Sequence, residues 1–270
     1  MQTNIYPIIN ELINKQASFA ICTIVQSSGS TPRHIGSKMT VNQNKEIFGS
    51  VGGGELEFRV INEAIECINT GKPKLLSYKM NDLADGDPGI CGGQLEIFVE
   101  PIKPITKIVV IGGGHVGKAL VKLAKWLGFI VVLSDDREEF CNPIAVPDAD
   151  EYVPCNMAEL PSKIDLNSNT YIILTTRGVR IDVPGLPALL ETNALYIGII
   201  GSKRRWITCK EELLAAGVGS DKVASIHSPI GINIAAETPE EIAMSIMAEI
   251  LMHKAGTTGD LMDINSPKLK

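Results

Sequence analysis

The amino-acid sequence, 270 residues long, predicts an α/β protein with a C-terminal doubly wound parallel sheet and a smaller N-terminal mixed α/β domain. Three observations predict this fold. An apolar, β-branched run at residues 108–111 leads into a glycine-rich loop, and further apolar strands then alternate with helical patterns. Pro101 and Pro104 stand directly before the run, as in a linker. We therefore expect an N-terminal domain at residues 1–103 and a Rossmann-like domain at residues 104–270.

Hydrophobic periodicity predicts the elements of the N-terminal domain. Leu56, Val60 and Ala64, for instance, recur at helical spacing and indicate a helix with one apolar face. A loop rich in glycine and aspartate occupies residues 81–93. The predicted elements in chain order are a helix at 4–15, strands at 19–26, 38–41 and 46–50, a helix at 55–70, and strands at 75–80 and 94–100.

The C-terminal domain shows the alternation of strands and helices that is typical of a parallel sheet. Its last helix begins with a capping box, Thr238 and Glu241, and has Pro239 at its first helical position. The predicted strands are 108–111, 129–133, 171–175 and 195–200, and the predicted helices are 116–127, a short one near Pro187–Glu191, 203–216 and the one that begins at Pro239.

Gly112, Gly114 and Gly117 have the G-x-G-x-x-G spacing of a dinucleotide-binding loop. The first glycine permits a tight turn, the second lets the backbone approach a pyrophosphate, and the third lets helix and strand pack closely. Asp135 follows the next strand, about twenty residues further on, where a carboxylate can bond a ribose hydroxyl. These residues predict a site for NAD or another nucleotide, with His115 either contacting phosphate or pointing to solvent. The alternative is a Rossmann fold with an empty or remodelled site.

Further candidates for anion binding follow the later strands, where ligands of doubly wound sheets lie. Arg177 comes directly after the third strand of this domain, and Ser202, Lys203 and Arg204 begin the helix after the fourth. A hydroxyl, two cations and free backbone amides at a helix start suit a phosphate, and the helix dipole otherwise disfavours cations there. A solvated, basic helix start is the alternative reading.

The N-terminal domain contains a second glycine-rich loop before a helix. Gly52, Gly53 and Gly54 offer a backbone concavity for an oxyanion, to which Arg33 and Lys38 could add positive charge. A plain turn between strand and helix explains the same glycines equally well.

Composition disfavours several classes of function. The net charge of −6 disfavours binding to nucleic acid as the main role. Apolar runs fall short of a membrane span, and the N-terminus lacks a signal-peptide pattern, so we expect a cytoplasmic protein with neither nucleic acid nor membrane as partner.

The six cysteines form no Cys-x-x-Cys pair, which disfavours a disulfide scaffold and a structural zinc site. Cys22, Cys67 and Cys209 fall in apolar patterns and are predicted to be small core residues. Cys91 is flanked by glycines, so we expect either an accessible thiol, able to act as a nucleophile or soft-metal ligand, or a half-buried thiol without a role.

Taken in order, these clusters resemble the XdhC/CoxI family of xanthine dehydrogenase accessory factors, over nearly the whole chain. The matching stretches are Gly29-Ser-Thr-Pro-Arg33, Gly49-Ser-Val-Gly-Gly-Gly54, Cys91-Gly-Gly93 with Glu100-Pro101, Gly112 to Gly117, Thr176-Arg-Gly178, Ile200-Gly-Ser-Lys-Arg204 and Gly231-Ile-Asn-Ile-Ala-Ala-Glu-Thr-Pro-Glu-Glu-Ile242.

The resemblance implies a chaperone-like accessory protein and not a dehydrogenase with its own substrate. Members of the family bind molybdenum cofactor (molybdopterin), assist its maturation and deliver it to a molybdenum hydroxylase apoenzyme such as xanthine dehydrogenase. The cofactor is an anionic pterin with a phosphate and a dithiolene-bound metal. Between the two domains of this chain, Arg33, Gly52–Gly54, Cys91 and Ser202–Arg204 would hold it, with Cys91 as the candidate metal ligand. The Rossmann glycines and Asp135 would bind a nucleotide or the pterin phosphate. A cysteine desulfurase and a second copy of the chain are further candidate partners.

Two positions depart from the family pattern. Many members have a cysteine directly after the triple glycine, where this chain has Glu55, and a histidine after Thr-Arg-Gly, where this chain has Val179. The competing class is a NAD(P)-dependent oxidoreductase that uses the Rossmann domain. That class needs an acid or base beside the nicotinamide, and the sequence offers no convincing candidate, since the most tempting position is occupied by Val179.

Overall fold

The computed structural model describes residues 4–80 and 92–262. The chain divides into two compact units, residues 1–104 and residues 105–270, and each unit has a sheet and a core of its own. Within the described residues, every helix is too short or too polar to cross a membrane.

The first unit contains one antiparallel sheet of five strands in the order β3-β2-β1-β5-β4. Its elements are α1 (Tyr6–Asn14), β1 (Phe19–Ser28), β2 (Lys38–Asn42), β3 (Ile47–Gly49), α2 (Gly54–Thr70), β4 (Lys74–Lys79) and β5 (Gln94–Ile102). All seven elements were predicted from periodicity, with ends that differ by one or two residues.

Helix α2 covers one face of this sheet because its apolar side chains recur at helical spacing and meet the alternate, inward-facing residues of the strands. Cys22 and Cys67 lie fully buried in this core, which confirms their prediction as core residues. Burial, aided by the neighbouring thiol of Cys67, raises the pKa of Cys22 to about 12, so Cys22 is an inert thiol at neutral pH. Helix α1 packs at one end of the opposite face through Ile9 and Phe19.

The second unit contains a parallel sheet of six strands in the order β11-β10-β9-β6-β7-β8. Its elements are β6 (Lys107–Ile111), α3 (His115–Trp126), β7 (Ile130–Asp135), β8 (Glu151–Pro154), α4 (Leu160–Lys163), β9 (Thr170–Leu174), α5 (Val179–Leu190), β10 (Tyr196–Ile199), α6 (Lys203–Ala215), α7 (Ser220–Ala224), β11 (Ile226–His227) and α8 (Pro239–Ala255).

This strand order is that of a Rossmann-type doubly wound sheet, so the predicted fold class is confirmed. Strand β6 lies in the middle, with α3 and α8 packed on one face and α5 and α6 on the other. Val109 and Val110 point to opposite faces and are both fully buried, which explains the unbroken apolar run of β6. The capping box of α8 also forms as predicted, with Thr238 accepting from Glu241 and the Glu241 side chain accepting from Thr238.

One helix is wrongly bounded by the sequence prediction. Helix α5 begins at Val179, eight residues before the predicted start, and contains Pro184 and Pro187 in its interior. Proline usually ends a helix because it lacks an N–H and its ring clashes with the preceding turn. Burial of Leu186 and Leu189 and anchoring of Asp182, described below, oppose that cost. The elements β8, α4, α7 and β11 were not predicted.

Candidate functional site

A cleft of about 90 Å³ opens at the carboxyl ends of β6, β7, β8 and β9 in the second unit. Parallel strands present their carboxyl ends at one edge of the sheet, and ligands bind where the direction of strand order reverses, here between β6 and β9. The residues that line the cleft are Ile111, Gly112, Gly114, Asp135, Asp136, Arg137, Cys155, Met157, Thr175, Thr176, Arg177 and Ile181.

The three glycines of the loop after β6 have different surroundings. Gly112 has φ of +117°, which favours glycine, and a Cβ on Gly117 would lie 1.9 Å from the carbonyl oxygen of Gly112. A Cβ on Gly114, in contrast, would have no described atom beyond its chain neighbours within 4 Å. Gly112 and Gly117 therefore shape the turn, whereas Gly114 borders open space in the cleft.

Asp135, the predicted ribose ligand, is 4% exposed and already accepts several hydrogen bonds. Its Oδ2 accepts from the backbone N–H of Gly113 at 2.9 Å, and both oxygens accept from the Arg137 guanidinium at 2.9 Å. Burial opposes ionisation of Asp135, but the hydrogen bonds from Arg137 and Gly113 outweigh it and hold its pKa below the usual range. Asp135 thus holds the glycine loop in place through the backbone N–H of Gly113. The guanidinium of Arg137 lies over the ring of Phe140.

Arg177 lies at the rim of the cleft. Its Nη2 donates to both carboxylate oxygens of Asp136 at 2.8 Å, and the Arg177 side chain is 50% exposed. Exposed ion pairs of this kind contribute about 0–1 kcal/mol, so Arg177 can exchange Asp136 for a ligand anion at little cost.

A buried network joins the loops after β9 and β10. Arg205 Nη2 donates to Asp182 Oδ2 at 2.6 Å and to Thr176 Oγ1 at 2.8 Å, and the Thr176 hydroxyl donates to the second oxygen of Asp182. Asp182 is fully buried, so removal of Arg205 would leave a buried carboxyl group without its cationic partner. The Nε of Arg205 is buried and finds no acceptor among the described residues. The network fixes Thr176 in the wall of the cleft.

The remaining candidates of this unit lie outside the lining of the cleft. His115 is exposed at the start of α3, and Lys203 and Arg204 are exposed at the start of α6. The Ser202 hydroxyl accepts from the backbone N–H of Arg205 at 3.2 Å and so caps α6. Cys209, on the same helix, is buried as predicted.

In the first unit, three motifs that are far apart in the sequence lie next to one another in the structure. A Cβ on Gly52 would lie 2.9 Å from Pro32 Cγ, and a Cβ on Gly93 would lie 2.2 Å from the Ser30 carbonyl oxygen. The turn that contains Arg33 therefore packs against both the triple glycine and the glycines that follow position 91. Arg33 itself is exposed.

The backbone concavity at the triple glycine is filled by the chain itself. Glu57 Oε1 accepts from the backbone N–H groups of Val51 at 3.1 Å, Gly52 at 3.2 Å and Gly53 at 2.9 Å, and from the Ser50 hydroxyl. Burial opposes ionisation of Glu57, but these hydrogen bonds outweigh it and lower its pKa. An external oxyanion at Gly52–Gly54 would have to displace this carboxylate.

Cys91 lies outside the described residues. Among the residues that are described, no group of three or more His, Cys, Asp and Glu side chains is arranged to hold a metal ion. The five described cysteines are free thiols, and Cys155 in the cleft has a pKa raised by burial.

Sequence reasoning missed Arg205, Arg137 and Glu57. Arg205 stands beside Lys203 and Arg204 and resembles them in sequence, yet it lies four residues before the buried Cys209 and eight before the buried Leu213. That spacing places Arg205 on the inner face of α6, and it could have been used to predict from the sequence that Arg205 points inward. Glu57 was harder to predict, because two glutamates, Glu55 and Glu57, follow the triple glycine. Only the structure shows which of the two carboxylates meets the loop amides.

The strand order, the glycine loop and the cleft at the carboxyl edge define a Rossmann-type α/β protein. Residues 108–250 match the XdhC Rossmann domain, and residues 12–79 match the XdhC and CoxI family. The chain belongs to the XdhC and CoxI family, so the family resemblance predicted from the motifs is confirmed.

Three curated relatives are informative. YqeB of Escherichia coli (strain K12) is 33% identical over 261 residues, 96% of this chain and 48% of YqeB. A probable xanthine dehydrogenase subunit of Bacillus subtilis (strain 168) is 30% identical over 155 residues, 57% of this chain and 45% of that protein. The molybdenum cofactor insertion chaperone PaoD of E. coli is 22% identical over 265 residues, 85% of this chain and 81% of PaoD. This chain spans about half the length of the first two relatives.

A solved structure supports the fold. The crystal structure of a xanthine dehydrogenase from Bacillus halodurans aligns with a TM-score of 0.50 and 21% identity, over 97% of each chain. At this identity the similarity concerns the fold alone.

Proposed function

We propose that this protein is an accessory protein that binds molybdenum cofactor and assists its maturation and insertion into a xanthine dehydrogenase-type molybdenum hydroxylase. The observation that carries the proposal is the open position at Gly114, beside the start of α3 and the rim cation Arg177, in a chain of the XdhC and CoxI family. The names of PaoD and of the B. subtilis relative support the same role.

The described residues of the cleft fit the phosphate of the cofactor better than the whole molecule. Pockets that enclose drug-sized ligands measure about 300–1,000 Å³. A cleft of about 90 Å³ has room for a phosphate group, with the rest of the ligand outside it. The first backbone N–H groups of α3 have no partner within the helix and supply the donors that a phosphate needs.

The positive and negative charges in the cleft nearly cancel. An anionic ligand can therefore bind only if one of the cations can leave its present carboxylate partner. Arg137 is tied to the buried Asp135, whereas Arg177 holds only the half-exposed Asp136. We assign Arg177 as the residue that turns to the phosphate. His115 at the start of α3 is a second, exposed donor within the same loop.

The metal end of the cofactor is a separate part of the proposal. The metal of the cofactor is held by dithiolene sulfurs, so a thiol is a candidate for a further ligand, and Cys91 is the thiol that the family motif supplies. When bound, the cofactor carries the metal centre that the partner hydroxylase uses. The residues of this chain have only to hold it, shield it and release it, and a cysteine desulfurase or a second copy of the chain would act at that stage.

A NAD(P)-dependent oxidoreductase fits the described cleft less well. Both oxygens of Asp135 already accept hydrogen bonds from within the protein. Val179, where an acid or base would be needed, packs against the apolar core. No observation favours hydride transfer over cofactor binding.

The proposal is tested by co-expressing the full chain with the enzymes of cofactor synthesis and measuring the molybdenum and pterin that purify with it. We expect Arg177→Ala to lose most of the bound cofactor, because its cation neutralises the phosphate at the rim. Arg180→Ala is the matched control: Arg180 is exposed three residues away, outside the lining of the cleft, and its removal should leave cofactor content unchanged.

Two results would contradict this account. Wild-type protein that carries neither molybdenum nor pterin after co-expression would remove the carrier role. Equal losses in Arg177→Ala and Arg180→Ala would show that only the overall charge matters and not the cleft.

A further inference from the structure

The outer face of the first sheet, the face turned away from α2, contains a groove of about 320 Å³. This volume falls in the range of about 300–1,000 Å³ that small-molecule sites occupy. The groove is lined by Tyr78 and Leu95 and by six polar residues from three adjacent strands: Gln26, Ser28, Ser77, Lys79, Gln94 and Glu96.

Strand register arranges these six side chains in two rows. Gln26 and Ser77 are both paired with Glu96 and form the first row. Ser28 and Lys79 are both paired with Gln94 and form the second row, two residues along the strands. Adjacent strands are about 4.8 Å apart and two residues span about 6.8 Å, so the rows form a polar platform comparable in size with a two-ring heterocycle.

Among residues 4–80 and 92–262, none of the six polar side chains takes part in a side-chain hydrogen bond or an ion pair, so their donors and acceptors are candidates for contacts with a ligand. Lys74 of the same strand β4 points to the opposite face, because it is paired with the inward-facing Val99, and there it bridges Glu63 and Glu66 of α2 at 2.8 Å.

An apolar row borders the groove. Phe98 lies two residues from Glu96 on β5, on the same face, and is paired with Leu75 of β4. Phe98 is 36% exposed and Leu75 is 58% exposed. An aromatic ring and an aliphatic side chain beside polar groups offer a stacking surface for a flat ligand.

We propose that this groove binds a planar nitrogen heterocycle with a 2-amino-4-oxopyrimidine edge, the edge that pterins and guanine share. Glu96 would accept two hydrogen bonds, from the amino group and from the adjacent ring N–H, as carboxylates do with paired donors. Gln26, Gln94 and the two serine hydroxyls would meet the remaining ring nitrogens and the carbonyl.

Other ligand classes fit the groove less well. The carboxylate of Glu96 in the first row repels an anion, and one carboxylate beside Lys79 is a poor site for a divalent cation. The inference rests on the proposed function for its choice of ligand, because the pterin ring of molybdenum cofactor carries this edge, and it concerns a groove of the first unit by itself.

The test uses the full chain and free heterocycles, without the metal or the phosphate. Binding of 6-hydroxymethylpterin is followed by its fluorescence, in parallel with guanosine and with a lumazine that has a carbonyl in place of the 2-amino group. We expect the pterin to bind, the lumazine to bind at least about tenfold more weakly, and Glu96→Gln to weaken pterin binding by about tenfold, because the paired acceptor is lost. Glu100→Gln, on the same face of β5 but outside the groove, should bind like the wild type.

The outcomes separate this inference from the proposed function. Equal binding of pterin and lumazine, or unchanged binding in Glu96→Gln, would overturn the groove assignment, even if co-expressed protein retains cofactor. Pterin binding that depends on Glu96, in protein that retains no cofactor, would support the groove and contradict the carrier role. Guanosine binding that is tighter than pterin binding and depends on Glu96 would support the edge and assign the groove to a nucleoside.

Discussion

Between residues 50 and 54, three successive backbone amides donate to the chain's own Glu57, whereas in the loop at residues 112–114 the carboxylate of Asp135 accepts only from Gly113 among the loop amides described. Both loops join a strand to a helix and both contain three consecutive glycines. In the first loop the concavity is occupied by a side chain of the following helix. In the second, Gly114 remains beside open space.

The difference shows that a run of glycines creates a concavity of backbone donors without deciding what occupies it. The deciding feature is the position of the nearest carboxylate. Glu57, in the first turns of α2, reaches back into its own loop, while Asp135, at the end of a neighbouring strand, reaches one amide and leaves the next position open. The second loop is therefore the better candidate for an external anion.

The largest effect on stability is expected in the second loop, where a glycine that shapes the turn should be far less tolerant of substitution than the glycine that borders the cleft. Gly117→Ala should lower the free energy of unfolding by about 2–3 kcal/mol, because the new Cβ would lie 1.9 Å from the Gly112 carbonyl oxygen. The gain of about 1 kcal/mol in helix propensity offsets only part of the clash. Gly114→Ala has space for its Cβ and loses only the preference for glycine over alanine at the N-cap of α3, so it should cost no more than about 1 kcal/mol. Urea unfolding of both variants checks this, and equal losses would contradict it.

A smaller effect is expected from Glu57→Gln in the first loop. At neutral pH it should cost about 1–2 kcal/mol, because charge-assisted hydrogen bonds from the loop amides become neutral ones. The pKa of Glu57 is lowered in the folded state, so its contribution is present above the unfolded-state pKa and is lost as the pH falls through the folded-state value. The stability difference between wild type and variant should therefore shrink below about pH 4.

The measurement is urea unfolding over a pH series. Glu55→Gln is the matched control: Glu55 forms an exposed pair with Arg59, so its substitution should cost less than about 1 kcal/mol. A difference between wild type and Glu57→Gln that persists undiminished in acid would mean that the carboxylate charge does not stabilise the loop.

Much of the fold could be predicted because local patterns agree with the final packing. The apolar run of β6, the glycine spacing and the capping box at Thr238 each determine their own structure over a few residues. Strand β8 has four residues, too few to show alternation, and β11 has two. Helix α5 was misjudged because its prolines oppose a helix locally, while tertiary packing and the Arg205–Asp182 pair favour it.

The candidate site was harder to predict than the fold. Gly112, Gly114, Asp135 and Arg177 do meet at one cleft, as the topology of a parallel sheet requires. Spacing in the sequence does not reveal which groups lie within hydrogen-bond distance of these residues. Asp135 turns inward to Gly113 and Arg137, and Arg205 alone among three consecutive cations turns inward to Asp182.

The most direct test of the central claim, that the open position at Gly114 receives the phosphate of the cofactor, is the pterin content of Gly114→Leu protein co-expressed with cofactor synthesis. The leucine side chain would occupy the cleft without a clash at its Cβ. We predict that this variant loses most of the pterin found in the wild type while its unfolding transition stays in place. Full retention of pterin by a folded Gly114→Leu protein would contradict the claim.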